Sequence, residues 1–103
     1  MTTATATRPF PRLPTVGHRV AVIAHRGGAA VAPENTLASI RGAIALGCDY
    51  VELDVRPTRD GHLVLMHDGS VDRTTDGTGN VSDLDYGAVQ ALDAGSHFSP
   101  AYA

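Results

Sequence analysis

Two histidines, an arginine and two acids stand where this sequence changes character. His25 and Arg26 follow the apolar run Val20 to Ala24, and His67 follows the run Leu63 to Met66. Between them, Glu52 and Asp54 alternate with Val51, Leu53 and Val55. Histidine can both accept and donate a proton near neutral pH. Arginine can hold a phosphate or carboxylate through paired hydrogen bonds. Two carboxylates two residues apart on a strand leave the same face about 7 Å apart, near enough to share one ion. Oxygen ligands favour Mg²⁺ or Ca²⁺ over zinc or copper. The set points to proton transfer beside an anion and a hard cation. Each residue alone has a plainer explanation. A histidine at a strand end is often a hydrogen-bonded structural residue, Arg26 alone reads as a surface arginine, and Glu52 with Asp54 could be the wetted face of an edge strand.

The elements that must position these residues are short. Val20 to Ala24 suits a strand covered on both faces. Gly27 and Gly28 permit a sharp turn after it, and Pro33 resists an earlier helix start. Asn35 is a plausible N-cap for a helix from Thr36 to about Leu46, with Leu37, Ile40 and Ile44 as its apolar stripe. Gly47 is placed to end that helix, and Gly42 within it suggests close packing. Tyr50 to Val55 reads as an alternating strand that Pro57 and the Arg59-Asp60-Gly61 turn end. Folding back around Asp60 pairs residues in one of two registers, one of which brings His67 beside Glu52 and Leu65 beside Asp54. Residues 69 to 80 read as a polar surface loop. A short helix then follows, capped by Ser82 or Asp85, with Tyr86, Val89 and Leu92 on its apolar side. Strand, helix, strand is an α/β unit.

Composition sets outer limits. The 103 residues are enough for one small domain, and 43% are hydrophobic, as in a globular core. Residues 1 to 18, with Pro9, Pro11 and Pro14, read as a flexible leader, so the domain is expected over 19 to 103. Eight basic residues, all arginine, against eleven acidic ones give a net charge of −3, which predicts no general attraction to nucleic acid. Cys48 is the only cysteine, which rules out an internal disulfide and a cysteine-rich zinc site; it reads as a packed thiol. No apolar run approaches the roughly 20 residues of a membrane span, and the leader lacks a signal-peptide core, so a cytoplasmic location is expected. Asp72, Thr74, Asp76, Gly77 and Asp83 match a calcium-loop spacing only loosely. His62 reads as a turn-flanking surface residue, and His18 and His97 carry no signal.

In order, His25-Arg26-Gly27, Pro33-Glu34-Asn35-Thr36, Glu52-Leu53-Asp54-Val55, Asp60-Gly61, His67-Asp68, Asp72-Arg73-Thr74-Thr75 with Gly77-Thr78-Gly79, and Leu92-Asp93-Ala94-Gly95 resemble the glycerophosphodiester phosphodiesterase family. Each piece is weak alone; the ordered set, running from Val20 to Gly95, is specific. The resemblance implies a TIM (β/α)8 barrel related to phosphatidylinositol-specific phospholipase C, with a β-hairpin and loop inserted after the second strand. It implies metal-dependent hydrolysis of glycerophosphodiesters to glycerol 3-phosphate and an alcohol, a place in glycerophospholipid metabolism, and a divalent cation, Mg²⁺ or Ca²⁺. Carried over by position, His25 and His67 are the general acid/base pair, Arg26 binds the substrate phosphate, and Glu52 and Asp54 hold the metal. A barrel takes about 250 residues, so the chain is expected to be an N-terminal part of one. A third acidic ligand and a substrate lysine are then expected beyond Ala103; the sequence holds no lysine. A non-catalytic metal-binding remnant, or a phospholipase C-like or D-like member of the same superfamily, are the alternatives.

Overall fold

Strand, helix and strand follow one another as the apolar pattern predicts, but each is shorter than expected. The structure, a computed structural model, describes Gly17 and residues 19–103; the rest of the expected leader lies outside the described residues. β1 (Ile23–Ala24) lies parallel to β2 (Tyr50–Val51), with Ile23 beside Tyr50 and Ala24 beside Val51. The ladder runs slightly further, because the Val22 carbonyl accepts from Asp49 and Tyr50 and the Ala24 carbonyl from Glu52. A bidentate Arg19–Asp49 pair at 2.8 and 2.6 Å tethers the entry to β1. The first strand is not covered on both faces. Ala24 is buried, while Val20 is 87% exposed and Val22 and Ile23 are about half exposed.

α1 (Leu37–Ala45) makes the crossover. Its N-cap is Thr36, not Asn35. The Thr36 hydroxyl accepts from the Ser39 amide and the Ser39 hydroxyl from the Thr36 amide, both at 3.2 Å, a reciprocal capping box. The expected apolar stripe is not the buried one. Leu37 and Ile44 are 64% and 69% exposed, while Ser39 and Ala43 face inward. Small residues face inward because the turn after β1 comes so close: a Cβ added at Gly27 would overlap the Ser39 side chain. No such crowding exists at Gly42, where a Cβ would meet open space. Gly47 ends the helix as expected, with φ 78° and a bond from Cys48 N to the Ala43 carbonyl.

The strand expected over Tyr50 to Val55 breaks at Glu52. Its second half, β3 (Val55–Pro57), leaves the first sheet and pairs antiparallel with β4 (Leu63–Leu65). Leu65 stands opposite Val55 and Leu63 opposite Pro57. The register that would put His67 beside Glu52 is therefore not the one formed; the Asp54 carbonyl accepts from Met66 instead. The turn decides this. Thr58 N donates to the His62 carbonyl, the Thr58 hydroxyl donates to Asp60, and Gly61 takes φ 86°.

The polar loop that follows carries the main core of the chain. Ser70 and Asn80 form a bridge, Val71 N donates to Gly79 O, and Val81 N donates to Gly69 O, so the loop closes on itself. Val71 and Val81 are fully buried with Met66, and Val64, Leu84 and Leu92 pack around them. Two apolar side chains at the loop's mouth thus convert an expected solvated loop into a packed unit. α2 (Tyr86–Gln90) begins at Asp85, as one of the expected caps. The Asp85 carboxylate is occupied by Arg59 and not by the helix. Tyr86, Val89 and Leu92 are half-buried on one side. Among the described residues no helix is long and apolar enough to cross a membrane.

Candidate active site

The turn after β1 builds the site's centre. Gly27 and Gly28 take φ 79° and 114°, and Arg26 between His25 and Gly27 is itself left-handed at φ 53°, ψ 34°. That conformation costs a non-glycine residue about 1–2 kcal/mol and persists where surrounding bonds enforce it. They do so here: Gly27 N donates to the Glu52 carbonyl at 3.1 Å and Asn35 N to the Arg26 carbonyl at 2.8 Å. The Arg26 amide then points at the Glu52 carboxylate, 3.0 Å from Oε1. His25 Nε2 lies 3.8 Å from the same oxygen.

Asp54 is held from the helix side. Asn35 donates through Nδ2 to Asp54 Oδ2 and accepts the Asp54 amide on Oδ1, both at 3.1 Å. Asn35 reaches this pair in a left-handed conformation, φ 55°, which asparagine tolerates better than most residues. The Asn35 hydrogen bond holds the Asp54 carboxyl below its ordinary value, against partial desolvation, and the charges of His67, Arg26 and His25 add to it. The two histidines and the arginine thus share one carboxylate's electrostatic neighbourhood. They come from two separate segments: the β1–β2 ladder sets His25 and Arg26 beside Glu52, and the β3–β4 pairing, continued by the bond from Met66 N to the Asp54 carbonyl, brings His67 alongside.

The Arg26 guanidinium is half-buried. Nη1 donates to both Glu34 oxygens at 3.3 and 3.2 Å, and Nε lies 3.9 Å from Asp54 Oδ2. Nε is also buried with no hydrogen-bond partner. A buried donor without an acceptor is costly, and the Glu34 and Asp54 carboxylates beside the guanidinium offset its charge. His67 presents its ring on the hairpin side, with Nδ1 2.8 Å from Asp68 Oδ1. Its carbonyl accepts from Arg56 at 3.0 and 2.7 Å, which fixes the backbone behind the ring. Both imidazoles are open to solvent, His25 at 73% and His67 at 44%.

Four residues that hold the others were given no role in the site from sequence, although all lie in the motifs that carry the resemblance. Glu34 and Asn35 precede α1, and Asp68 and Arg73 begin and cross the loop. Arg73 bonds to Asp68 and Glu34 together. The Asp68 carboxyl is held far below the usual carboxylate range, first by Arg73 and then by His67, and Glu34 is lowered chiefly by Arg73. The spacing of Asp68 to Arg73 was the available signal, but a polar loop offered no reason to pair them.

The donor set bears on a cation. Glu52 and Asp54 offer oxygen to a hard cation and fit as part of its shell, which needs six or more ligands for Ca²⁺ and is octahedral for Mg²⁺. Among the described residues no group of three or more His, Cys, Asp or Glu is disposed to hold a metal. The calcium-loop spacing is explained otherwise. Asp72 accepts from Gly79 N, Asp76 from Asp93 N, and Thr74 is buried with its hydroxyl on Met66 Sδ. Cys48 is a half-buried free thiol. His62 stacks on Tyr86, with centroids 4.6 Å apart, beside the turn as expected.

The pattern of the glycerophosphoryl diester phosphodiesterase family matches residues 25–103. A glycerophosphodiester phosphodiesterase of Caldanaerobacter subterraneus subsp. tengcongensis is 51% identical over 82 residues, 80% of this chain and 34% of the relative. The crystal structure of a glycerophosphodiester phosphodiesterase from Agrobacterium tumefaciens superposes with a TM-score of 0.79 at 43% identity, over 82% of this chain and 36% of that one. An Oleispira antarctica phosphodiesterase, solved with the product sn-glycerol-3-phosphate, superposes with a TM-score of 0.74 at 46% identity, over 76% and 32%. The chain spans about a third of the length of these relatives. Their fold is the TIM barrel, and the described residues form a small α/β part of one without closing it. With more than three quarters of its length matched, the chain belongs to the glycerophosphoryl diester phosphodiesterase family.

Proposed function

We propose that this chain carries part of the site of a metal-dependent phosphodiesterase that cleaves glycerophosphodiesters to glycerol 3-phosphate and an alcohol. The observation that carries the reading is the convergence of His25, Arg26, Glu52 and His67 around Asp54. Arg26 takes the substrate phosphate through charge-assisted hydrogen bonds. One histidine removes the proton from the attacking oxygen, whether water or the substrate's own glycerol hydroxyl. The other returns a proton to the departing alcohol oxygen, and the two are exposed enough to reach both sides of a bound phosphate. Glu52 and Asp54 hold a divalent cation, Mg²⁺ or Ca²⁺, which when bound offsets negative charge on the phosphoryl oxygens. The product held by the Oleispira antarctica relative supports glycerol 3-phosphate as the product here. The domain is taken as residues 19–103.

The purified chain, given glycerophosphocholine and a divalent cation, is expected to release glycerol 3-phosphate. Chelation with EDTA should abolish release, and His25→Ala or His67→Ala should lower it by roughly 100-fold or more. Turnover that survives both EDTA and His25→Ala overturns the assignment. Cation binding lost in Glu52→Gln, without hydrolysis by the parent chain, identifies a non-catalytic metal-binding module instead.

A further inference from the structure

Arg73 stands in the closed loop, in a motif to which none of these roles gives work. Its guanidinium meets two carboxylates at once. Nε and Nη2 donate to Asp68 at 2.9 and 3.0 Å, and Nη1 and Nη2 donate to Glu34 at 3.2 and 2.7 Å. Each carboxylate continues to a residue of the site. Asp68 Oδ1 is 2.8 Å from His67 Nδ1, and both Glu34 oxygens accept from Arg26 Nη1. The result is an unbroken chain of contacts, His67 to Asp68 to Arg73 to Glu34 to Arg26.

A surface ion pair alone fixes little. This one is different in three respects. Both contacts are two-pronged, which sets orientation as well as distance. Glu34 is well buried, with only 11% of its side chain exposed. Arg73 is delivered by a loop whose mouth is anchored by buried Val71 and Val81. The chemistry of the chain is also directional. An ionised carboxylate only accepts, so His67 Nδ1 must donate, and the neutral ring then carries its lone pair on Nε2.

We propose that Arg73 is a positioning residue. By bridging Asp68 and Glu34 it fixes the Nδ1–H tautomer of His67 and the direction of the Arg26 guanidinium together. The proposal rests on the reading of His67 as an acid/base group and Arg26 as the phosphate ligand. A lysine cannot substitute, since a single ammonium does not present a planar fork to two carboxylates.

Ring-nitrogen NMR of the ¹⁵N-labelled chain, at about pH 8.5 where free imidazole is neutral, tests it. His67 is expected to carry its proton on Nδ1 in the parent and to become a mixture of tautomers in Arg73→Ala. Added guanidinium ion should restore the parent signal, while sodium chloride at equal ionic strength should not. Arg59→Ala removes a comparable exposed pair with Asp85 and should leave His67 unchanged. A ring that keeps Nδ1–H in Arg73→Ala, or that moves equally in Arg59→Ala, overturns the proposal. If Arg73→Ala does not fold, Arg73→Lys decides: a shifted tautomer supports the role and an unshifted one overturns it. The tautomer is read without turnover. A parent chain that releases no glycerol 3-phosphate therefore counts against the phosphodiesterase reading alone. In a chain that turns over, Arg73→Ala should lower kcat by roughly 10–100-fold, as loss of an orienting partner does elsewhere.

Discussion

Asn35 shows how one side chain can serve backbone and site together. Its φ of 55° lets the chain turn out of Pro33-Glu34 into α1, and its amide grips both the backbone and the carboxylate of Asp54. Asn35→Ala should lose about 1–2 kcal/mol to the left-handed backbone and about 1 kcal/mol for each lost hydrogen bond. Asn35→Gly should lose only the hydrogen bonds. Urea denaturation of the two variants separates these contributions, and equal losses would show that the backbone conformation costs nothing. The sequence made asparagine a helix cap because it is among the best of them. That property and its tolerance of left-handed φ coexist in one side chain, and only the distant partner Asp54 decides between them. His25, Arg26 and His67 stood out because they follow apolar runs, and Glu52 and Asp54 because they alternate with apolar residues. Glu34, Asp68 and Arg73 lay in the quoted motifs without a role of their own, since nothing local distinguishes a bonded charge from a solvated one.

At the scale of elements, the strand–helix–strand order and the glycine that ends α1 were legible, while the N-cap, the break of the second strand and the buried faces were not. Gly47 and Pro57 end their elements as their backbones require. The register of β3 and β4 depended on how the Thr58 hydroxyl and Gly61 close the turn, which periodicity does not encode. The helix and the loop are joined by ion pairs rather than by a continuous core, and this makes their union pH-dependent. Glu34 and Asp68 have folded values below their ordinary ones, so the stability they contribute is present above about pH 4–5 and is lost as pH falls through the folded values. Melting temperatures followed from pH 7 to about pH 3 should fall in the parent. Asp49, Asp60, Asp85 and Asp93 are lowered by their own partners and contribute to that fall in any variant. Arg73→Ala should therefore start lower and fall less steeply, and parallel curves would deny the clamp its share.

For the whole molecule, the site lies where two units meet. One is β1, α1 and β2, poor in buried apolar side chains; the other is the hairpin and loop, which hold Met66, Val71 and Val81. His25 and Arg26 belong to the first and His67 to the second, with Asp54 at the junction, so the geometry of the candidate site and the join between units depend on the same contacts. Burial of Ser39 and Ala43 in place of Leu37 and Ile44 leaves those two large apolar side chains exposed on the first unit, where Val22, Ile23, Leu46 and Val51 are exposed as well. Several large apolar side chains exposed on one small unit favour association in water. The chain by itself should therefore sediment as larger species as its concentration rises, with far-UV circular dichroism retained. Placing charge on that surface by Leu37→Lys with Ile44→Lys should restore the monomer and leave the melting temperature within a few degrees, because both side chains are already mostly exposed. Association that persists in the double variant would assign the contact to the hairpin unit, where Val55 and Leu63 are the exposed apolar residues, and loss of folding in it would mean that the helix face is buried in solution.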